Sequence, residues 1–285
     1  MDAVLLSLAS AFFVALGHVL ARFGLATLTP LRGAGVSVPT TALAFLLLSP
    51  AFLDWSRWNW HAAAIFLAVG CVFPAVVTLM NFESNRRVGP GLTSALTNLT
   101  PLFAILAGIA LLGEVPHASQ ALALALILGG VVLLLWKPER LIGEVPLAAL
   151  AIPIAAGAVR GTLQPVIKLA QIEWPDPYAA TTIGYAASAA VLLGLKSLRE
   201  GGLRAPPADR GTLWFMAAGL TNGLSLLTLY AALARGPIAL VAPLVACFPL
   251  FAVALSRLLH GTVIDARGVA GIVVTIAGIA LLLAA

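Results

Sequence analysis

Charged residues are scarce in this sequence. Only 9% of the 285 residues are Asp, Glu, Lys or Arg, whereas about a quarter of a soluble domain is charged. Apolar residues make up 61% of the chain and the mean hydropathy is +1.05, which excludes a water-soluble protein. A membrane-spanning helix needs roughly 20 mostly apolar residues. Ten such helices would use the whole chain and leave no room for a soluble domain.

Cysteines are few and catalytic motifs are absent. Cys71 and Cys247 lie within apolar segments and have neither metal-ligand nor disulfide spacing. The four histidines are scattered, and the sequence contains no His-Glu-x-x-His and no Gly-x-Ser-x-Gly. We therefore expect no cofactor, no metal and no enzymatic activity, and a membrane-embedded enzyme remains only as an alternative.

The net charge of +5 does not indicate a nucleic-acid partner. The basic residues occur singly or in pairs at the ends of apolar runs, which is how membrane loops use Lys and Arg. The expected partners are the lipid bilayer and a small-molecule substrate. A monomer is feasible, and the sequence does not fix the oligomeric state.

Ten apolar segments, bounded by charge, Pro or Gly, are long enough to span a membrane. Their uniform hydrophobicity favours helices over the alternating strands of a barrel, so the predicted fold class is an all-α integral membrane protein. The predicted spans are 3–25, 33–53, 60–82, 90–112, 118–136, 146–170, 178–197, 211–233, 237–258 and 266–284.

An internal repeat divides these spans into two sets of five. A shift of 148 residues places Pro101-Leu102-Phe103-Ala104 on Pro249-Leu250-Phe251-Ala252, and it places Gly130 on Gly278. The predicted repeats are 1–140 and 141–285. Because five is odd, the second repeat enters the membrane inverted, which is a transporter architecture with its site near the midplane between the repeats. Gly271 and Gly278, seven residues apart, favour close helix contact between the halves.

The chain resembles the EamA-type members of the drug/metabolite transporter superfamily along its whole length. The resemblance rests on the five-plus-five helices and on Gly89-Pro90, Gly236-Pro237 and the segment Pro101-Leu102-Phe103…Leu112-Gly113-Glu114-Val115…Gly129-Gly130-Val131. It implies secondary transport or export of amino acids, nucleosides or related metabolites. The Glu that often recurs in the family's second repeat is replaced here by Thr262, which favours a structural role for Glu114.

The basic residues predict the orientation. Twelve of the sixteen fall at one end of the predicted bundle: Arg22, Arg32, Arg86, Arg87, Lys137, Arg140, Lys196, Arg199, Arg204, Arg210, Arg257 and Arg267. Cytoplasmic loops carry an excess of Lys and Arg. We therefore expect both termini outside a bacterial-type inner membrane, although relatives tend to have cytoplasmic termini.

Arg160, near the centre of the sixth span, is the leading candidate site residue. An ionised residue at mid-bilayer costs about 2.5–3.5 kcal/mol on insertion scales, and no carboxylate is expected at its depth. Its guanidinium suits capture of a carboxylate or phosphate. The alternative is that it donates to backbone carbonyls near Pro153 and Pro165. Gln164 follows it one turn later.

Four further polar residues complete the predicted substrate site. His18 matches Arg160 after a shift of 142 residues, so the first span of each half presents a polar face. Lining of a cavity, packing and a proton relay all remain open for His18. Asn98, Tyr185 and Asn222 lie mid-span, and each has interhelical hydrogen bonding as its alternative role. Metal ligands are not among the predicted roles.

Glu83, at the end of the third span, is a second candidate for proton coupling. A carboxylate partly withdrawn from water has a raised pKa, although a local ion pair with Arg86 or Arg87 is the simpler interpretation. The functional prediction is an alternating-access secondary transporter or exporter of a small metabolite, with an anionic group as one option. A flippase for a lipid or a lipid-linked headgroup on the same fold is the alternative.

Overall fold

The computed structural model describes residues 2–88, 90–135, 146–200, 209–260 and 265–284. In these ranges every regular element is helical, and ten helical segments are long and apolar enough to cross a membrane. Leu47, Leu198 and Leu258 are among many large apolar side chains exposed on the outside of the bundle. Such a surface belongs in lipid, so the chain is a multi-pass membrane protein.

Seven spans are single helices and three are each built from two. The helices are α1 Asp2–Gly24, α2 Pro30–Phe52, α3 Trp60–Val72, α4 Ala75–Val88, α5 Pro90–Thr97, α6 Thr100–Leu112, α7 Ala118–Leu135, α8 Leu147–Glu173, α9 Pro177–Glu200, α10 Arg210–Leu233, α11 Ile238–Val245, α12 Phe248–His260 and α13 Ala266–Ala284. The third span is α3 with α4, the fourth is α5 with α6, and the ninth is α11 with α12.

The fourth and ninth spans are interrupted at matching positions. The break in the fourth span lies just before α6, whose second residue is Pro101. The break in the ninth span lies just before α12, whose second residue is Pro249. Proline has no N–H to bond the carbonyl four residues earlier, and its ring clashes with that carbonyl. In the fourth span the carbonyl oxygen of Thr97 is bonded instead by the Thr100 hydroxyl, at 2.6 Å.

The third span is also interrupted, at Phe73-Pro74, whereas the eighth span (α10) is continuous. The shift of 148 residues places Pro74 on Asn222, so the second repeat has a helix-compatible amide where the first has a proline. The Ser188 hydroxyl of α9 spans the gap in the third span. It donates to the carbonyl oxygen of Gly70 (2.5 Å) and accepts from the N–H of Ala75 (3.1 Å).

The packing of the helices confirms the two-repeat architecture. The first span packs against the eighth and ninth, and the sixth packs against the third and fourth. The second span packs against the seventh, and the fifth packs against the tenth. These contacts map onto one another when each span is exchanged with the span five places later, as a pseudo-two-fold axis requires. The predicted boundary at 140/141 lies outside the described residues.

The fifth and tenth spans, α7 and α13, meet through small residues, as predicted for Gly271 and Gly278. A methyl group on Gly271 would lie 2.6 Å from the carbonyl oxygen of Gly130, and one on Gly278 would lie 2.9 Å from the side chain of Ile127. The two backbones therefore touch. Ala118, on the α7 side, is exposed.

The two ends of the bundle differ in composition. The tryptophan face is the end that carries Trp55, Trp58, Trp60 and Trp174, and the helix order places both chain ends there. The basic face is the opposite end. Among the described residues it carries Arg22, Arg32, Arg87, Arg199, Arg210, Arg257 and Arg267. Lys137, Arg140 and Arg204 lie outside the described residues.

Adjacent glycines in α7 provide a matched test of the contact between the fifth and tenth spans. A methyl group on Gly130 would lie 2.6 Å from the Thr275 amide nitrogen, whereas one on Gly129 would meet nothing within 4 Å. Gly130→Ala should therefore lower the free energy of unfolding in detergent by about 1–3 kcal/mol, the usual cost of overpacking. Gly129→Ala should leave it unchanged or raise it by up to about 1 kcal/mol, because Ala favours a helix interior more than Gly does. Equal effects of the two substitutions would contradict this packing.

Candidate functional site

A cavity of about 670 Å³ lies between the two repeats. Residues from spans one to four and six to nine line it, and spans five and ten contribute none. At one end the lining includes the turn between α1 and α2, Ala26 to Thr29, and Thr93 and Ser94 of α5. All of these belong to the basic-face end of the bundle, so the cavity is open towards that face.

Arg160 lies on the cavity wall because two glycines allow α8 to approach the broken fourth span. A methyl group on Gly157 would lie 3.0 Å from the carbonyl oxygen of Thr97, and one on Gly161 would lie 2.5 Å from that of Thr100. These glycines flank Arg160 within one turn. The close contact fixes the turn of α8 that carries the guanidinium.

The guanidinium of Arg160 has no counter-charge among the described residues. No carboxylate lies within 4.0 Å of it, and its Nε is buried without a hydrogen-bond acceptor in the described part of the chain. The guanidinium of Arg160 lies over the ring of Phe73, with its Cζ atom 5.8 Å from the ring centroid. The side chain retains accessible surface because it faces the cavity. In the described part of the chain, no backbone carbonyl accepts a hydrogen bond from it.

Three of the other predicted site residues share this cavity with Arg160. His18, Tyr185 and Asn222 all line it. The imidazole of His18 packs edge-on against Phe248, another lining residue, with a centroid distance of 5.3 Å. The structure therefore brings together groups from the first, sixth, seventh and eighth spans.

The two remaining predicted substrate ligands do not line the cavity. Asn98 is 3% exposed and Gln164 is 4% exposed, and neither belongs to the lining. Asn98 Nδ2 and Gln164 Oε1 have no hydrogen-bond partner among the described residues. Asn98 lies at the break of the fourth span, and Gln164 lies one turn beyond Arg160. Helical spacing gave their depth in the membrane and could not give the direction of their side chains.

A hydrogen-bonded wall of the cavity was not predicted from sequence. The Thr97 hydroxyl donates to Asn81 Oδ1 at 3.3 Å, and the hydroxyls of Ser84 and Thr93 are 2.7 Å apart. These bonds join α4 to α5 across the connection between the third and fourth spans. Asn81, Thr93 and Thr97 line the cavity. The Thr and Asn residues in these two spans were the only sequence sign of this wall. They did not predict it, because a Thr side chain in a helix usually bonds within its own helix.

Glu83, the second predicted proton-coupling residue, lies away from the cavity lining. Its carboxylate accepts from Arg87 Nε at 2.6 Å, an ion pair between residues four apart on one helix. That geometry supports the local ion pair. Of the two residues predicted for proton coupling, His18 lines the cavity.

On the tryptophan face an ion pair joins the two repeats. Lys168 Nζ, near the end of α8, donates to a carboxylate oxygen of Glu114 in the turn before α7, and it donates to the carbonyl oxygen of Gly236 at 2.8 Å. The other Glu114 oxygen accepts from the Ile238 N–H at 2.7 Å, at the start of α11. A carboxylate is favourable there because a helix N-terminus is partially positive. We call Glu114, Lys168, Gly236 and Ile238 the clasp.

Aromatic rings close the same face beside the clasp. Trp58, from the connection between the second and third spans, packs edge-on against Trp174 after the sixth span, with ring centroids 5.0 Å apart. His61 and Glu173 pair at 2.7 Å above them. The cavity lining includes no residue of these turns. The cavity is therefore closed towards the tryptophan face.

Metal binding finds no support in the described ranges. There, no three His, Cys, Asp or Glu side chains lie close enough together to hold a metal ion. The groups that line the cavity are one deep guanidinium, one imidazole, amides and hydroxyls. They suit binding of an organic solute through hydrogen bonds and charge.

Two halves of the chain match one family, at the same places as the two structural repeats. The sequence profile described as "EamA-like transporter family" matches residues 1–136 and again residues 147–284. The chain belongs to the EamA-like transporter family. Membership of a family of membrane transporters agrees with ten spans around a central cavity. Thr262 occupies the position in the second repeat that matches Glu114 in the first. It lies outside the described residues.

Solved structures resemble the whole of this EamA-like chain. In all, 27 chains match, and one, described as "Crystal structure of protein", has a TM-score of 0.79 at 16% identity. That alignment covers 99% of this chain and 98% of the other. At such low identity the likeness concerns the fold alone. No curated protein matches the sequence.

The clasp can be tested by a double-mutant cycle. Its side chains are only 18% and 23% exposed for Lys168 and Glu114, so each charge depends on the other. The cycle of Glu114→Gln and Lys168→Gln should give a coupling free energy of about 1.5–3 kcal/mol in equilibrium unfolding, as for hydrogen bonds to charged groups.

The exposed pair on the same face is the matched control for the clasp. His61 and Glu173 are 70% and 44% exposed, and exposed pairs contribute less than about 1 kcal/mol. Coupling at the clasp no larger than that of His61→Gln with Glu173→Gln would show that the clasp does not hold the repeats together.

Proposed function

We propose that this chain is a secondary transporter that carries a small metabolite with an anionic group by alternating access. Amino acids, nucleoside derivatives and related compounds are the candidate classes. The unpartnered guanidinium of Arg160 in the cavity between the repeats is the observation that carries the proposal. Family membership supports transport of a small molecule. The substrate class and the mechanism rest on the chemistry of the cavity.

The positive charge of Arg160 favours the binding of an anion. Removing a guanidinium from water is costly, and the cost is recovered only when a counter-charge or several acceptors are present. The described residues supply neither to Arg160. A substrate carboxylate or phosphate would accept two parallel N–H bonds from the fork of the guanidinium, and such charge-assisted bonds are about twice as strong as neutral ones. Binding energy would therefore be concentrated at this residue.

The size and position of the cavity suit a metabolite. Its volume of about 670 Å³ falls within the range of about 300–1,000 Å³ that is typical of small-ligand sites. His18 and Asn222 add hydrogen-bonding groups from the first and eighth spans, and Tyr185 adds one from the seventh. Because both repeats contribute, movement of one repeat relative to the other would change access to the bound solute.

The clasp and the cavity together resemble one state of an alternating-access cycle. The cavity is open to the basic face, and the clasp holds the tryptophan face closed. The opposite state requires the bonds of Lys168 to Glu114 and Gly236 to break. The interruptions before Pro101 and Pro249 supply bending points in the fourth and ninth spans, because the helices already lack a continuous hydrogen-bond ladder there.

The orientation also belongs to the proposal. The excess of Lys and Arg at the basic face supports a cytoplasmic location for that face in a bacterial-type inner membrane. The cavity would then be open to the cytoplasm and the termini would lie outside.

Arg160 variants test the substrate site. Arg160→Gln removes the charge and should reduce uptake or export by about 30-fold or more, since truncating a buried charged partner costs 2–5 kcal/mol. Arg160→Lys should retain partial activity, because it keeps the charge and loses the bidentate geometry. Transport by purified protein in proteoliposomes measures both effects.

Arg235→Gln is the matched control for the Arg160 variants. Arg235 is exposed at the tryptophan face, in the turn after α10, and donates to the carbonyl oxygen of Ala231 near the end of that helix. This variant should transport like the wild type. Unchanged transport by Arg160→Gln, for every compound that the wild type carries, would refute the proposed site.

The orientation has a direct test. A reporter that is active only in the cytoplasm, fused after Ala285, should be inactive, and the same reporter inserted in the connection between α9 and α10 should be active. The reverse pattern would show that the termini are cytoplasmic and that the cavity opens outward.

A further inference from the structure

We infer that the preferred substrates are monocarboxylic organic acids that have an apolar or aromatic body and lack an ammonium group, rather than amino acids. The inference rests on the proposed function, because it takes Arg160 as the carboxylate receptor. It adds what the rest of the cavity would accept and reject.

Among the described residues, no acidic side chain lines the cavity. The charged lining residues are Arg22, near the basic face, and Arg160, deep between the repeats. An α-amino acid would bring an ammonium group into this space together with its carboxylate. A buried ammonium needs a carboxylate or several acceptors to replace its hydration. Among the described residues, Glu83 and Glu114 are each engaged in ion pairs outside the lining.

Broken helices can supply free carbonyls to a cation, but at the two breaks beside this cavity the carbonyl four residues before the proline is bonded by a side chain. In the third span the carbonyl oxygen of Gly70 accepts from the Ser188 hydroxyl at 2.5 Å. In the fourth span the carbonyl oxygen of Thr97 accepts from the Thr100 hydroxyl at 2.6 Å. These two carbonyl oxygens already serve the structure of the protein, which makes them poorer partners for an ammonium group.

Other acceptors of the wall are also committed in part. Asn81 Oδ1 accepts from Thr97 at 3.3 Å. The backbone carbonyl oxygen of Ser225 accepts from the Ser10 hydroxyl at 2.8 Å. The amide oxygen of Asn222 lies against Gly17 of the first span, and one amide oxygen does not replace the hydration of an ammonium group. Among the described residues the lining carries two guanidinium groups and no carboxylate, which favours an anion.

The remaining lining favours an apolar body attached to the carboxylate. The ring of Phe73 lies beside the guanidinium of Arg160, and the ring of Phe248 lies against His18. Val14, Val77 and Leu226 continue this apolar wall. A substrate whose carboxylate meets Arg160 would place its carbon skeleton against these side chains, where burial of apolar surface is favourable.

Matched pairs of compounds separate the two substrate classes. Phenylpyruvate and phenylalanine share a ring and a carboxylate and differ at the α-carbon, and 4-methyl-2-oxopentanoate and leucine form a second pair. We expect each oxo acid to bind the full-length wild type at least tenfold more tightly than its amino acid, a difference of about 1.4 kcal/mol. Thermal stabilisation in detergent, which follows ligand binding, and competition in proteoliposome transport measure this ratio.

A substituted cavity provides the complementary test. Asn222→Asp introduces a carboxylate at a lining position with little change in shape, so it should shift the ratio towards the amino acids by at least tenfold. The matched substitution Asn59→Asp makes the same change at the tryptophan face, outside the cavity lining, where the Oδ1 atom accepts from the Ala62 N–H. It should leave the ratio unchanged.

The outcomes distinguish this inference from the proposed function. Equal or tighter binding of the amino acids, or no response to either member of both pairs, would overturn the inference. If amino acids are preferred and Arg160→Gln still abolishes their transport, the proposed function stands and only the substrate class is wrong. If Arg160→Gln leaves transport unchanged, the proposed site itself is wrong.

Discussion

An arginine in the interior of a membrane protein must be compensated by something, and the surroundings of Arg160 define what that can be. Its helix is pressed against the broken fourth span through Gly157 and Gly161, so the guanidinium is held at one depth. Phe73 contacts it, but no carboxylate does so among the described residues. A transported anion that supplies the missing charge would explain the size of the cavity, its position between the repeats and the guanidinium groups in its lining.

The helix packing of the two repeats is nearly symmetric, but the polar residues at matching positions differ. Exchanging each span with its counterpart reproduces the helix packing, yet His18 stands where the other half has Arg160. The same asymmetry affects closure of the two faces. By the repeat shifts of 148 and 142 residues, the counterparts of Glu114 and Lys168 are Thr262 and Ala26, which cannot form an ion pair. The symmetric fold therefore allows either face to close. Only the tryptophan face, however, has residues at these two positions that can form an ion pair.

Sequence reasoning predicted the fold more completely than the site, for physical reasons. The membrane fixes the length of each apolar run, so all ten spans were predicted to within three residues at each end. The repeat identified Pro101 and Pro249 as matching positions, but it did not predict that the helices break beside them, since α8 continues through Pro153 and Pro165. Periodicity also gave the depth of Arg160. It could not give the direction of Asn98, which depends on how the broken fourth span packs, or the bond between Lys168 and Glu114, which are 54 positions apart.

The most direct test of the role of Arg160 is to locate a bound anion. Crystals of the full-length protein soaked with 4-bromobenzoate would show the bromine by its anomalous scattering and the carboxylate by its density. We expect the bromine in the cavity near Phe73 or Phe248, with both carboxylate oxygens about 3 Å from the guanidinium nitrogens of Arg160. A bromine elsewhere, or a guanidinium turned onto backbone carbonyls of its own bundle, would contradict the central role of Arg160.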